Sequence, residues 1–175
     1  MEYRSATAGD VEAIARLHAD SWRRSYRGAY SDAFLDGDVF EDRLSVWTGR
    51  LTDPPPNRFT IVAEHDGVVV GFAHTALDDD PTWGALLDNL HVVHGLKGHG
   101  TGTRLMAETA AVVLDRRPSA GLYLWVLEHN TPAQAFYQAR GGECVGRGEA
   151  KSPAGDPLVS LRYAWADPSR LLLWA

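Results

Sequence analysis

Between positions 86 and 116 an apolar run, a glycine-rich turn and an amphipathic stretch follow one another without interruption. Leu86–Val93 reads as a buried strand, and Leu105, Met106, Thr109, Val112 and Val113 recur on one side of a helix from about Gly100 to Arg116. A strand that passes straight into an amphipathic helix calls for a sheet whose face the helix covers. The rest of the chain supplies further strands. An opening strand near Glu2–Ala6 precedes Thr7 and Asp10 at capping-box spacing, after which Val11, Ile14, Ala15 and Leu17 continue at helical spacing. The aromatics and charges between 20 and 50 read as one or two further short helices. Pro54-Pro55-Pro56 enforces an extended connection into a strand at Phe59–Glu64. His65-Asp66-Gly67 is a tight turn into a second strand, Val68 to about Leu77, which ends in a solvated loop at Asp78–Asp80. Leu122–Leu127 is another strand. Thr131 then caps a helix with Pro132 at its first position, Gly141-Gly142 closes it, and strands at about 143–149 and 158–165 finish the pattern. This order describes an α/β or α+β fold of one domain over residues 1–175, with a sheet of mixed strand direction covered by helices.

Charge and cysteine usage narrow the function classes. A formal net charge of −6 argues against a general nucleic-acid binder, so any polyanion held here is small and locally bound. The lone Cys144 forms no internal disulfide and reads as a small buried apolar residue. The N-terminus shows no signal-type apolar run, and no stretch approaches the roughly 18 apolar residues of a membrane span. A cytoplasmic protein without membrane contact is the expectation.

The turn His94-Gly95-Leu96-Lys97-Gly98-His99-Gly100-Thr101-Gly102 lies where free backbone N–H groups and a helix dipole converge on an anion. A side chain at the glycines would keep a diphosphate out of reach of the backbone. Neither a P-loop, which needs Lys-Ser or Lys-Thr after its glycines, nor the dinucleotide spacing G-x-G-x-x-G fits. What stands is Lys97-x-x-Gly100-x-Gly102, preceded by Leu90-x-Val92, and this resembles the Arg/Gln-x-x-Gly-x-Gly/Ala signature of the GNAT superfamily of N-acetyltransferases. Lys97 departs from the preferred first residue. A second segment, Asn130-Thr131-Pro132-Ala133-Gln134-Ala135-Phe136-Tyr137-Gln138-Ala139-Arg140-Gly141, is similar to that family's Asn-x-x-Ala-x-x-Phe-Tyr-x-x-x-Gly pattern.

The resemblance implies a central mixed, mostly antiparallel twisted sheet of about seven strands flanked by helices, and acetyl-CoA as co-substrate with no metal. It implies that backbone groups of Leu90, Val92 and Val93 line the pantetheine arm and that Lys97, Gly98, His99, Gly100, Thr101 and Gly102 cradle the diphosphate. It further implies that Asn130 hydrogen-bonds the coenzyme and that Tyr137 stands near the thioester sulfur, where a phenol can protonate a leaving thiolate. The candidate for the base that takes the amine's proton is Asp88, an acid in an otherwise apolar strand, where it either serves the reaction or is paired structurally. The acceptor cleft draws on the region after the first helix, with Trp22 and Tyr26 as candidate contacts. His91 and His94, three apart on a strand, point to opposite faces and make a poor metal pair. The acceptor is a primary amine of a small molecule or peptide, attacked directly in a ternary complex. A non-catalytic acyl-CoA sensor and a longer acyl donor are the competing readings. The apolar tail Leu171–Trp174 either covers a partner, giving a homodimer, or folds back on its own domain.

Overall fold

The computed structural model describes residues 1–174. All seven strands join one sheet in the order β1-β2-β3-β4-β5-β7-β6. They are β1 (Glu2–Ser5), β2 (Arg58–His65), β3 (Val68–Asp80), β4 (Gly84–Val92), β5 (Leu122–Leu127), β6 (Glu143–Lys151) and β7 (Pro157–Trp165). Neighbours are antiparallel except the central pair, β4 and β5, which run parallel. The helices are α1 (Val11–Ser25), α2 (Asp32–Asp36), α3 (Val39–Thr52), α4 (Thr101–Arg116) and α5 (Thr131–Gln138). The expected mixed, mostly antiparallel sheet with flanking helices is the architecture found.

Local chemistry explains most boundaries. Asp66 and Gly67 take φ of 50° and 77°, the positive values that let a two-residue turn match the twist of β2 and β3. Ahead of α1 the Thr7 amide and hydroxyl both donate to Asp10 Oδ2, at 2.7 and 3.1 Å, so the capping spacing does start a helix, through a short 3-10 turn at Ala8–Asp10. Ile14, Ala15 and Leu17 of α1 join Trp47 and Leu51 of α3 against Val62 and Phe72 on one face of the sheet. On the other face α4 sets Leu105, Met106, Ala110 and Val113 against Ile61, Ala73, Leu87 and Leu124. Because both faces are covered, β3 is buried without alternation from Val70 to Leu77, His74 and Thr75 included. Truncating a fully buried side chain such as Leu105 to alanine in such a core costs about 2–5 kcal/mol.

Four local expectations are corrected. Asp78–Asp80 belongs to β3 instead of a loop, because Arg117 pairs with Asp78 and the Tyr123 hydroxyl donates to Asp79, holding the acids against the sheet. Asn130, not Thr131, is the N-cap of α5; its Oδ1 accepts from the Ala133 amide at 3.4 Å. Cys144 is exposed, since it lies on β6, the uncovered edge of the sheet. Finally, β4 is fully buried only at Ala85 and Leu87; from Asp88 onward its residues are exposed or half-buried and border open space.

Candidate active site

That open space has a simple origin. β4 and β5 pair at only two positions, Ala85 with Leu122 and Leu86 with Tyr123, and then diverge. A cleft of about 650 Å³ occupies the gap. The sheet register also skips Asp88, with His74 opposite Asn89 and Thr75 opposite Leu87, so Asp88 is the extra residue of a β-bulge. The bulge turns its carboxylate to Arg50 of α3, at 2.8 Å, and Arg50 also donates to Asn89 Oδ1 at 2.6 Å. Asp88 and Asn89 both line the cleft.

Beyond the bulge the amide of Val93 donates to Val70 O and its carbonyl accepts from Leu96, so its amide is spent within the fold and is not free for a ligand. By strand alternation the groups of Leu90 and Val92 point the opposite way, to the edge that β5 has vacated. Both residues line the cleft and Val93 does not. The expectation for Val93 is therefore corrected.

The glycine turn stands at the mouth of this edge. Gly98 and Gly100 take φ of 82° and 87°, a conformation L side chains avoid, and among the described residues their N–H groups find no acceptor. The first amides of α4 are also free by helix geometry, so several donors surround one point. This arrangement suits a diphosphate. Lys97, Gly98 and Gly102 reach the cleft, whereas the side chains of His99 and Thr101 do not: His99 folds back toward Lys97 O at 3.1 Å, and Thr101 is buried.

Helix α5 closes the far wall. It contributes Asn130 and Tyr137 to the cleft, and although none of its residues is fully buried, Ala133, Phe136 and Tyr137 pack against the core. Arg140 adds further fastenings. Its Nε donates to Thr103 Oγ1 at 2.8 Å, its Nη1 to Phe136 O at 2.9 Å, and its guanidinium stacks on Phe136 at 3.7 Å. Phe136 in turn lies against Gly102, where an added Cβ would stand 3.3 Å from the ring. The two motifs read from the sequence are thereby fastened to each other. Tyr137 packs between Phe136, Tyr163 and Trp165, and its hydroxyl meets no hydrogen-bonding partner among the described residues. Burial pushes its phenol up to about 12, so it keeps its proton at any working pH.

The opposite end is aromatic. Tyr26 lines the cleft, its phenol raised by burial and by neighbouring Tyr30 and Tyr137. Trp22 does not reach the cleft; it stacks with His18, Tyr30 and Arg43 and supports Tyr26 from behind. His91 lines the cleft with Nδ1 2.8 Å from Ser21 Oγ, and burial, then the charges of Lys97 and Arg43, hold its imidazole down at about 3. Sequence reasoning missed Arg50, Arg140 and Trp125 as parts of this site. Arg140 at least lay inside the Asn…Gly segment, while Arg50 carried no local signal at all. Among the described residues no group of three or more His, Cys, Asp or Glu side chains is placed to hold a metal ion, and no helix is long and apolar enough to cross a membrane.

Comparison with known proteins agrees with this geometry. The chain is 26% identical over 170 residues to the uncharacterized N-acetyltransferase YuaI of Bacillus subtilis (strain 168), covering 96% of this chain and 94% of that one. Its fold is similar to the ribosomal-protein-alanine N-acetyltransferase of Brucella melitensis, with TM-score 0.68 at 22% identity over 94% of this chain and 99% of that one. It is also similar to the PaiA N-acetyltransferase of Thermoplasma acidophilum, solved in complex with coenzyme A, with TM-score 0.65 at 18% identity over 91% and 96% of the two chains. The sequence model of the Acetyltransferase (GNAT) family matches residues 13–142, and the chain, whose glycine turn and Asn…Tyr helix meet at one cleft, belongs to that family.

Proposed function

We propose that this acetyltransferase moves the acetyl group of acetyl-CoA to a primary amine of a small molecule or peptide, by direct attack with both substrates bound. One observation carries the reading: the free amides of the glycine turn, the vacated edge of β4 and the Tyr137 phenol surround a single cleft. The coenzyme supplies the activated acetyl group. The residues supply the rest. Backbone N–H groups at Gly98, Gly100 and the start of α4 hold the diphosphate. Thr101 takes part through its main-chain amide only, and His99, whose amide donates to Leu96 O at 3.4 Å, shapes the turn between the two free glycine amides. Lys97 adds a charge at the mouth. Leu90 and Val92 present main-chain groups to the pantetheine arm, and Asn130 keeps its amide nitrogen for the coenzyme while its oxygen caps α5. Such fixed donors favour the charge that develops on a carbonyl oxygen under attack.

Tyr137 acts as the general acid, its neutral phenol handing a proton to the departing thiolate. Asp88 is the proposed base, a carboxylate on the cleft wall at the bulge, steadied by Arg50. Tyr26 forms the acceptor side, and Trp22 shapes it from the second layer. A homodimer is part of the reading: Leu171 is buried against the chain's own core, while Leu173 and Trp174 remain 84% and 55% exposed, and a dimer mass in light scattering checks it.

The test combines calorimetry with acetyl-CoA and thiol release over an amine and peptide panel. Acceptor-dependent release is expected, with Tyr137→Phe reducing kcat by about 10²-fold or more and leaving coenzyme affinity within about twofold. Binding without release for any acceptor makes the chain a sensor instead.

A further inference from the structure

α1 and α3 pack on β2, β3 and β4, and on the same side of the sheet no helix of the described residues packs extensively on β5, β7 and β6. An unusual arginine lies there. Arg162 of β7 sits directly opposite Trp125 of β5 on one side and Gly146 of β6 on the other. Its guanidinium stacks on Trp125 at 4.4 Å, Trp83 at 5.3 Å and Tyr123 at 5.5 Å. The indole of Trp125 can extend toward β6 only because residue 148 is glycine; a Cβ there would stand 2.9 Å from the ring.

Three rings fix where this cation is and leave its donors without an acceptor. Among the described residues the other part-buried arginines, Arg4, Arg23, Arg43, Arg50, Arg104 and Arg140, all donate hydrogen bonds. Arg162 donates none, and its Nε is buried without a partner. The acids on this side do not accept from it: Asp79 receives the Tyr123 hydroxyl, and Asp80, whose carboxyl is held down by the amides of Thr82 and Trp83 and then by the charge of Arg162, makes no hydrogen bond to the guanidinium. A half-buried guanidinium left without an acceptor is costly unless a partner arrives from outside. Stacked arginines keep their in-plane N–H edge free, and that edge matches a carboxylate in bidentate fashion.

The position of this cation ties it to the cleft. Trp125 is shared: it lines the cleft and is one wall of the aromatic box. Adjacent strands are about 4.8 Å apart, so Arg162 stands one strand beyond the wall that an acceptor amine would touch. We infer that Arg162, framed by Trp83, Tyr123 and Trp125, is a carboxylate-binding subsite that selects acceptor amines bearing an acidic group. This rests on the acetyl-transfer reading and adds the chemical class of the acceptor. The carboxylate has two possible sources, the α-carboxylate of a free amino acid or an acidic side chain next to a peptide N-terminus.

Matched acceptors separate these sources and test the subsite. Thiol release is measured with free amino acids against their carboxamides, and with C-terminally amidated peptides beginning Ala-Glu against Ala-Gln. In one of the two pairs the acid is expected to exceed the amide by about 10-fold or more in kcat/KM, carried mainly by KM. Arg162→Gln should abolish that preference while amide acceptors and the acetyl-CoA-induced rise in melting temperature stay unchanged; Arg162→Lys should restore part of it. A readout free of turnover is the indole N–H resonance of Trp125 on titration with glutarate, which should shift in the native chain and stay still with glutaramide. Equal rates for acid and amide in both pairs, equal losses of both on Arg162→Gln, or a Trp125 signal indifferent to glutarate overturns the inference and leaves acetyl transfer standing. Failure of acetyl-CoA to bind would instead strike the transfer reading itself.

Discussion

Asp10 is 6% exposed and carries several duties at once: it starts α1 and accepts from Arg4 at 2.8 and 2.9 Å, while Arg4 also reaches Glu64 on β2. Hydrogen bonds from Arg4 first, and then from Thr7, hold its carboxyl down at about 2 in spite of burial. His74 and His91 are held down too, at about 4 and about 3, chiefly by burial, with Arg50 pressing on His74 and Lys97 and Arg43 on His91. In all three the unfolded chain binds protons that the fold refuses, so stability must fall as pH falls. The histidines act first, from about 6.5 downward to their folded values; Asp10 follows, from about 3.8 to about 2. Urea titrations across pH are expected to show both stages. Asp10→Asn should lower stability at pH 7 by about 1–2 kcal/mol and remove only the second stage. A second stage that persists in that variant would assign it to another carboxyl.

At the scale of the element, α5 is the part of the site most dependent on its fastenings. Eight residues with none fully buried make a marginal helix, so the Asn130 cap and the Arg140 clamp add to the core packing of Ala133, Phe136 and Tyr137 in holding Tyr137 in place. Arg140→Ala removes two hydrogen bonds from a charged donor and a stacked contact, and should destabilise the chain by about 2 kcal/mol. It should also weaken coenzyme binding and slow thiol release by about tenfold or more, because α5 and the start of α4 then move independently; a melting curve and a calorimetric titration check both. A variant with native stability but the same kinetic loss would place Arg140 on the ligand instead. The elements themselves were legible in the sequence wherever their causes are local: Asp66-Gly67 needs only its own backbone, and the glycines before α4 announce a turn that bares its amides. What escaped depends on distant partners. The bulge that exposes Asp88 arises from register against β3, its ion pair comes from α3, and the loss of the Val93 amide to Val70 shows only once β3 and β4 are aligned. Thr131 was a sound cap by type, but Asn130, one residue earlier, serves better because its oxygen reaches the Ala133 amide.

For the whole molecule the decisive feature is how little of β4 touches β5. Strands β1 to β4, with α1, α3 and α4, form one half of the sheet; β5, β7 and β6 form the other. Two residue pairs join them along the strands, and the Tyr123 hydroxyl on Asp79, the packing of α4 against both halves and Arg140 add further connections. Coenzyme A bound along the vacated edge would touch both halves. At a hundredfold excess over Kd it should stabilise the fold by about 2.7 kcal/mol, and in hydrogen exchange the protection gained should concentrate in β5, β7 and α5 rather than in the hairpin of β2 and β3. Uniform protection, or none in the second half, would contradict this. Seen mechanically, the protein is a book with a very short spine: its pages are stiff, the binding between them is brief, and the helix laid across both is what keeps it closed.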